Sequence, residues 1–185
     1  MPQPLLRPWR DGDAAALRSA VATTPDLMTQ LPIAALDSRE ACAAFIAEHL
    51  VPSREGGRNL AIVLDGDAVG NVGMSAVDPR HGNAWVFYWV AASARGRGLA
   101  ARALSTLAAH ALDPAGADLF RLELGHRVNN PASCAVATRA GFVAEGVERA
   151  KLAYGRERFD VETHARLRTD PASSTPLLQV APGTW

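Results

Sequence analysis

A short run of arginines and glycines is the part of this sequence best suited to binding an anion. Residues 95–100 read Arg-Gly-Arg-Gly-Leu-Ala, and they connect an apolar run at 84–90 to a segment with helical periodicity at 100–112. Glycine lets the backbone turn tightly and approach a ligand closely. Backbone N–H groups at a helix start then face the anion, together with the positive end of the helix dipole. Arg95 and Arg97 add charge, so the segment is predicted to hold a phosphate group.

The spacing of these residues excludes two common nucleotide-binding motifs. The loop is not Gly-x-Gly-x-x-Gly, and no acidic residue follows about 20 positions later as in a dinucleotide-binding unit. It also lacks the Gly-Lys-Ser/Thr ending of a P-loop. What it contains is Arg-x-x-Gly-x-Ala, formed by Arg95, Gly98 and Ala100. With the preceding Tyr88-Trp89-Val90, this motif resembles the pyrophosphate loop of the GCN5-related N-acetyltransferases (the GNAT family), in its RimJ/RimL branch.

A second stretch strengthens the resemblance. Asn130 can cap a helix, and Pro131 suits the first helical position, so Ser133 would lie in the first turn, near exposed N–H groups. The pattern Asn-Pro-x-Ser resembles the second GNAT motif in its RimL form, and the likeness continues through Val136-Ala137, Arg139 and Gly141-Phe142. In layout the resemblance runs from about 4 to 168, and it is specific from 88 to 142.

The resemblance implies a GNAT fold of the α/β (α+β) class. Its central, mixed but mostly antiparallel twisted sheet would have about seven strands, flanked by about four helices, with central strands that splay apart. One domain is expected over residues 1–168. Residues 169–185 are rich in Pro, Ser and Thr and are predicted to form a mobile tail.

Hydrophobic periodicity and turn residues place the individual elements. Strands are predicted over 4–10, 59–64, 68–77, 84–90 and 119–124, and helices over 14–22, 38–50, 100–112 and 131–140. The first strand is predicted at a sheet edge, because Pro8 cannot donate to a ladder. The run 84–90 is predicted to be buried on both faces. Residues 52–57 are predicted to end the second helix.

Acetyl-CoA is the co-substrate that the resemblance implies. Its pyrophosphate would bind the backbone N–H groups of Arg95, Gly96, Arg97, Gly98, Leu99 and Ala100. The pantetheine arm would fill the gap between the strands at 84–90 and 119–124. It would pair with the backbone of Trp89 and Val90 and bond to Asn130. A backbone amide near Val90 would polarise the thioester carbonyl.

Ser133 matches the position that this branch offers as general acid to the leaving thiolate, and it could instead only contact the sulfur. The general base is harder to assign. The glutamate that RimL uses falls at Leu152 here, and an acidic residue common on the central strand is replaced by Trp85.

Glu123 is the carboxylate that remains, at a position where many family members carry glutamate. Strand alternation would either direct it to the cleft as a base or pair it on the surface with Arg121. Tyr88, His126 and a water chain are further options for the base.

Composition limits the partners. The 185 residues contain 19 Lys and Arg against 19 Asp and Glu, so no net charge attracts nucleic acid or a membrane surface. Cys42 and Cys134 form no disulfide framework, and neither has a His at metal-ligand spacing. No metal is therefore predicted, and a reducing cytoplasmic location is expected. No signal core or transmembrane run is visible, and a homodimer is plausible by resemblance.

The predicted function is an acyltransferase that moves the acetyl group of acetyl-CoA directly to a primary amine. The acceptor would be a protein N-terminal α-amine, as in ribosomal-protein acetylation, or a small amine. An α-amine has a pKa of about 8 against about 10.4 for lysine, so it needs less help from a base. The alternatives are a non-catalytic acyl-CoA-binding module, an acyltransferase that uses a longer acyl-CoA, and a nucleotide-binding protein.

Overall fold

The computed structural model describes residues 3–51 and 57–185. Within these ranges the chain forms four α-helices and eight strands, joined by short 3-10 turns. The helices are α1 (Ala14–Thr23), α2 (Arg39–Phe45, extended by a π turn at Ile46–Leu50), α3 (Leu99–Leu112) and α4 (Pro131–Arg139). The strands are β1 (Leu5–Pro8), β2 (Arg58–Leu64), β3 (Asp67–Asp78), β4 (Asn83–Val90), β5 (Arg121–Arg127), β6 (Val143–Tyr154), β7 (Glu157–Leu167) and β8 (Gln179–Val180).

All strands belong to one sheet, in the order β6-β7-β5-β4-β3-β2-β1-β8. The pairs β4/β5 and β1/β8 are parallel and the others antiparallel, which confirms the predicted mixed, mostly antiparallel sheet with one strand more than expected. Apolar side chains form one cluster on each face of the sheet. One cluster packs under α3 and α4, and the other packs under α1 and α2.

The predicted splay of the central strands is confirmed. β4 and β5 pair only where Asn83–Trp85 lies beside Arg121–Glu123, although both strands continue beyond that point. The prediction that 84–90 is buried on both faces is wrong in part, because Trp85, Phe87 and Tyr88 are only half-buried. Their side chains line the space that opens where β5 diverges.

Helix starts follow the capping residues in the sequence. Ser38 accepts a hydrogen bond from the backbone N–H of Ala41 at 3.0 Å and so begins α2. The predicted end of this helix at 52–57 falls almost entirely outside the described residues.

Among the residues that the structure describes, no helix is both long and apolar enough to cross a membrane.

β1 is not at the edge of the sheet as predicted, because β8 pairs beside it. Leu5 and Leu6 face Gln179 and Val180, and the pairing ends before Pro8. The missing N–H of Pro8 therefore costs no hydrogen bond on this side.

Residues 169–185, predicted to be mobile, pack against the domain. Leu178 is buried in the cluster beneath α3, and its N–H donates to Thr106 Oγ1 at 2.9 Å. Arg102 donates to the carbonyls of Pro176 and Leu177, both at 3.2 Å. The Trp185 ring stacks on His110 with 4.0 Å between centroids. The tail docks because Leu178 packs in the core and because backbone groups of the tail form hydrogen bonds with side chains of α3.

We expect Leu178→Ala to lower the free energy of unfolding by about 2–4 kcal/mol, because it removes a buried side chain and leaves a cavity. Leu177→Ala is the matched control, since Leu177 is 52% exposed, and its effect should stay within about 0.5 kcal/mol. Chemical denaturation of both variants measures the difference. Equal effects of the two substitutions would contradict the docked position of the tail.

Candidate active site

The glycine loop adopts the backbone conformation that its composition predicts. Gly96 and Gly98 have φ of +77° and +72°, a left-handed region that other residues enter only at a cost. A Cβ at either position would meet no atom within 4 Å, so the requirement for glycine is conformational rather than steric. Gly98 directly precedes α3, and the first N–H groups of that helix, on Leu99 to Ala101, have no acceptor within it.

A first cleft of about 280 Å³ opens between this loop, the end of β4 and the start of α4. It brings together nearly all the residues predicted to bind coenzyme A, namely Trp89, Val90, Arg95, Gly96, Gly98, Leu99, Ala100, Asn130 and Ser133. Arg97 is the exception, because it lies exposed on the outer side of the loop and does not line the cleft.

Arg95 braces the loop against its neighbours. Its Nε donates to the carbonyl of Val90 at 2.9 Å, and its two terminal nitrogens contact the carboxylate of Asp26 at 3.2 and 2.8 Å. The guanidinium is therefore largely engaged with protein groups. Asp26 lies in the 3-10 turn at Pro25–Thr29, and sequence reasoning missed its role.

The N–H group of Val90 faces the gap between β4 and β5. Backbone groups of successive residues in a strand point to alternate edges. Ala91 donates to Val69 of β3 at 2.8 Å, so Val90 directs its N–H to the opposite edge. Arg95 already occupies the carbonyl of Val90, which leaves the amide as the group available to a ligand.

The start of α4 forms the opposite wall. The side-chain oxygen of Asn130 accepts from the N–H of Ser133 at 3.1 Å, and Pro131 occupies the first turn, as the sequence predicts. Tyr88 Oη lies 2.7 Å from Ser133 Oγ and donates to the Ser133 carbonyl at 3.1 Å. The phenol of Tyr88 has only one proton. When that proton is donated to the Ser133 carbonyl, the hydrogen bond between the two side chains is donated by the Ser133 hydroxyl and accepted by Tyr88 Oη.

Burial raises the pKa of Tyr88 to about 12, and the hydrogen bond with Ser133 opposes this shift. The phenol is protonated when the pH is below its pKa. At neutral pH Tyr88 is therefore a hydrogen-bond and proton donor, which makes it unsuitable as the general base that the sequence left open.

A second cleft of about 190 Å³ lies on the other side of Tyr88 and Ser133. Aromatic and aliphatic side chains line much of its wall, among them Trp85, Phe87, Leu152 and Tyr154. Arg127 adds a positive charge to the lining. None of the described residues that line it is Asp or Glu. Gln30, Tyr88, Asn130 and Ser133 line both clefts, so the two spaces meet at the Tyr88–Ser133 pair.

Glu123 is placed outside both clefts. It lies opposite Trp85, where β4 and β5 are still paired and the gap has not yet opened. Its carboxylate contacts Arg121 Nε at 2.5 Å, and Arg121 also pairs with Glu145. Of the two sequence interpretations of Glu123, the geometry favours the surface ion pair with Arg121 over the catalytic base.

His126, another option for the base, lines the second cleft but has both ring nitrogens engaged. Nδ1 lies 3.0 Å from the carbonyl of Arg127, and Nε2 lies 3.1 Å from Nε2 of His164. Leu152 lines the same cleft. In the part of the chain that the structure describes, the second cleft therefore has no carboxylate or free imidazole to act as a base.

Comparisons with known proteins agree with this geometry. A family model described as Acetyltransferase (GNAT) domain matches residues 4–143. The chain therefore belongs to the GNAT acetyltransferase family, a family of acyltransferases.

Three relatives indicate the branch. The ribosomal-protein-serine acetyltransferase of Escherichia coli (strain K12) is 29% identical over 106 residues, which is 57% of this chain and 58% of that protein. The structure of a RimL ribosomal L7/L12 alpha-N-protein acetyltransferase with coenzyme A superposes with a TM-score of 0.78, at 25% identity over 90% of this chain and 95% of that one. Mycobacterium smegmatis RimJ with CoA-disulfide gives a TM-score of 0.74 and 30% identity over 88% and 80% of the two chains.

Proposed function

We propose that this GNAT acetyltransferase moves the acetyl group of acetyl-CoA directly to the α-amine of a protein N-terminus. The observation that carries the proposal is the meeting of two clefts at Tyr88 and Ser133. One cleft has features that suit an anionic coenzyme, and the other suits a small, uncharged acceptor group.

Coenzyme A binds the first cleft in this proposal. The pyrophosphate accepts hydrogen bonds from the loop and from the first N–H groups of α3, where the helix dipole favours negative charge. The pantetheine arm lies in the gap between β4 and β5, where the Asn130 side chain can donate to it. The Val90 N–H then polarises the thioester carbonyl and stabilises the oxyanion that forms on it.

The leaving thiolate takes its proton from the Tyr88–Ser133 pair. The Ser133 hydroxyl lies at the junction of the clefts, where the thioester would be held, and Tyr88 Oη is 2.7 Å behind it. A proton can pass from Ser133 to sulfur when the phenol turns its own proton from the Ser133 carbonyl to Ser133 Oγ. The attacking amine loses one proton to solvent as the amide forms, and solvent returns one proton to the phenol. Because the elevated pKa of Tyr88 keeps the phenol protonated, the pair is a donor throughout the physiological pH range.

The acceptor amine enters the second cleft in its neutral form. The described lining residues include no carboxylate, and Arg127 is among them, so a polyamine with several positive charges is disfavoured. The small volume suits one terminal residue, and the aromatic wall suits apolar atoms beside the amine. An α-amine has a neutral fraction at pH 7 of about one tenth, whereas a lysine amine has far less.

Two features stay predictions: a homodimer, predicted by resemblance, and a cytoplasmic location, predicted from the cysteine content. The alternative of a non-catalytic acyl-CoA-binding module is tested by the first experiment below, because it predicts coenzyme binding without turnover. An acyltransferase for longer acyl chains is tested in the same assay with longer acyl-CoA donors.

We expect free thiol to be released from acetyl-CoA in the presence of peptides with an unblocked N-terminus. The same peptides with acetylated N-termini are the matched controls and should give only the background rate. Spermidine should be turned over at least about tenfold more slowly, because its extra cations have no carboxylate partner in the cleft. Binding of acetyl-CoA with no turnover of any amine would contradict the proposal and support the binding module.

Replacement of Ser133 by alanine should lower kcat about a hundredfold, the lower range for loss of a general acid. The KM for acetyl-CoA should change little, since the pyrophosphate contacts are untouched. Ser105→Ala is the control, because Ser105 is buried in α3 and lines neither cleft. An unchanged kcat in Ser133→Ala would show that Ser133 donates no proton in the rate-limiting step.

The pH dependence of kcat/KM should follow the pKa of the acceptor amine. The rate is expected to rise with pH through the pKa of the peptide α-amine, about 8, and then to level off. Tyr88 acts in its protonated form, and because its pKa is raised to about 12, it causes no loss of activity below about pH 11. Acceptors with different amine pKa values should shift the midpoint in step. A midpoint that stays fixed across acceptors would instead indicate a general base on the enzyme.

A further inference from the structure

Four side chains able to bind a metal ion meet beside the second cleft: His126 of β5, Cys134 of α4, and Glu162 and His164 of β7. The strand register brings three of them together. Residues two positions apart on a strand share a face, and His126 lies directly opposite Glu162. The first half of α4 delivers Cys134 to the same place, immediately after Ser133.

The separations of the donor atoms approach those of a tetrahedral site. The two histidine Nε2 atoms are 3.1 Å apart, and Glu162 Oε2 lies 2.9 Å from His164 Nε2 and 3.3 Å from His126 Nε2. A zinc ion with bonds of about 2.0 Å to nitrogen and oxygen and about 2.3 Å to sulfur has donor–donor edges of about 3.3–3.5 Å. All four donor atoms lie within 4.8 Å of one another, so Cys134 Sγ needs a shift of no more than about 1.5 Å to complete the set.

The hydrogen bonding of His126 prepares it as a ligand. Its Nδ1 is 3.0 Å from the carbonyl of Arg127, which can only accept, so Nδ1 carries the proton. In the neutral ring Nε2 then presents a lone pair to the centre of the cluster. A partner that fixes the tautomer and the ring orientation in this way is the usual support of a metal-binding histidine.

Charge and burial also suit a divalent ion. A thiolate, a carboxylate and two neutral imidazoles around a doubly charged ion sum to zero, which avoids the cost of a net charge in a dry site. The two histidines are buried, whereas Cys134 and Glu162 are half-buried and leave a path for entry. Sulfur and imidazole ligands favour zinc and its neighbours over calcium or magnesium, which prefer oxygen.

We propose that His126, Cys134, Glu162 and His164 bind one zinc ion. On binding, the thiol of Cys134 gives up its proton to solvent, and the Nε2 proton of His164 moves to Nδ1. Because the protein supplies all four ligands, the site is closed and structural rather than catalytic. The ion would tie the first half of α4 to β5 and β7, and so fix the wall that carries Ser133.

The test uses the full-length protein, stripped of metal with a chelator and reduced with a phosphine so that no added thiol competes. Cobalt(II) is titrated as a spectroscopic substitute for zinc. One equivalent should produce the visible bands of tetrahedral cobalt and a near-ultraviolet sulfur-to-cobalt band, and zinc should abolish both. Zinc should also raise the Tm of the stripped protein.

Matched variants locate the ion. Cys134→Ser should remove the sulfur band, weaken cobalt binding at least about tenfold and abolish the zinc-dependent rise in Tm. Cys42→Ala is the control, since Cys42 is the other cysteine of the sequence and lies in the core under α1 and α2; it should keep all three signals. Glu162→Gln should weaken binding yet retain the sulfur band.

Two results would overturn the proposal. One is the absence of tetrahedral cobalt bands in the wild-type protein. The other is cobalt binding that Cys134→Ser leaves unchanged, which would place the ion elsewhere. Circular dichroism of each variant in the absence of metal establishes that a lost signal does not come from unfolding.

Discussion

The short parallel contact between β4 and β5 is the constraint on which the site depends. The strands pair over Asn83–Trp85 and Arg121–Glu123 and then separate. In a parallel pair joined by a helix, the loops that follow both strands gather at the same end of the sheet. The glycine loop follows β4 and the start of α4 follows β5, so both face the gap from their own sides. Had the strands stayed paired, the N–H of Val90 would be used within the sheet and no space for a ligand would exist.

Polar contacts then hold the two sides of the gap in place. On the α4 side, Tyr88 reaches across from β4 to Ser133, while the Asn130 cap fixes the first turn. On the loop side, the exposed pair of Arg95 with Asp26 contributes little energy in water. The pair instead fixes the position of the glycine loop, because Arg95 connects that loop to Val90 and to the 3-10 turn at Pro25–Thr29.

The sequence predicted the features whose physical cause is local. The tight turn at Gly96 and Gly98, the cap at Asn130 and the periodicity of α3 each follow from a few neighbouring residues. The features that it missed join distant residues: Asp26 to Arg95, Leu178 to the core beneath α3, and His126 to the Cys134 cluster. Strand alternation alone could not decide the role of Glu123, because that role depends on where β4 and β5 begin to diverge. Sequence spacing could not reveal this cluster for the same reason, since its residues converge through the register of β5 and β7.

No described residue that lines the second cleft is a carboxylate, which is consistent with selective chemistry rather than with a damaged site. A base in the protein is needed mainly when the amine arrives protonated, because a neutral amine becomes acidic only after it attacks the thioester and can then lose its proton to water. The pKa difference of about 2.4 between lysine and an α-amine makes the neutral form of the α-amine about 250 times more abundant at pH 7. That difference corresponds to about 3 kcal/mol of discrimination, obtained without any residue that contacts the amine. A carboxylate in this cleft would stabilise the ammonium form of every amine and so erode the discrimination. An apolar wall that includes Trp85 and Leu152 preserves it, which explains why residues that look inert in the sequence can define the acceptor.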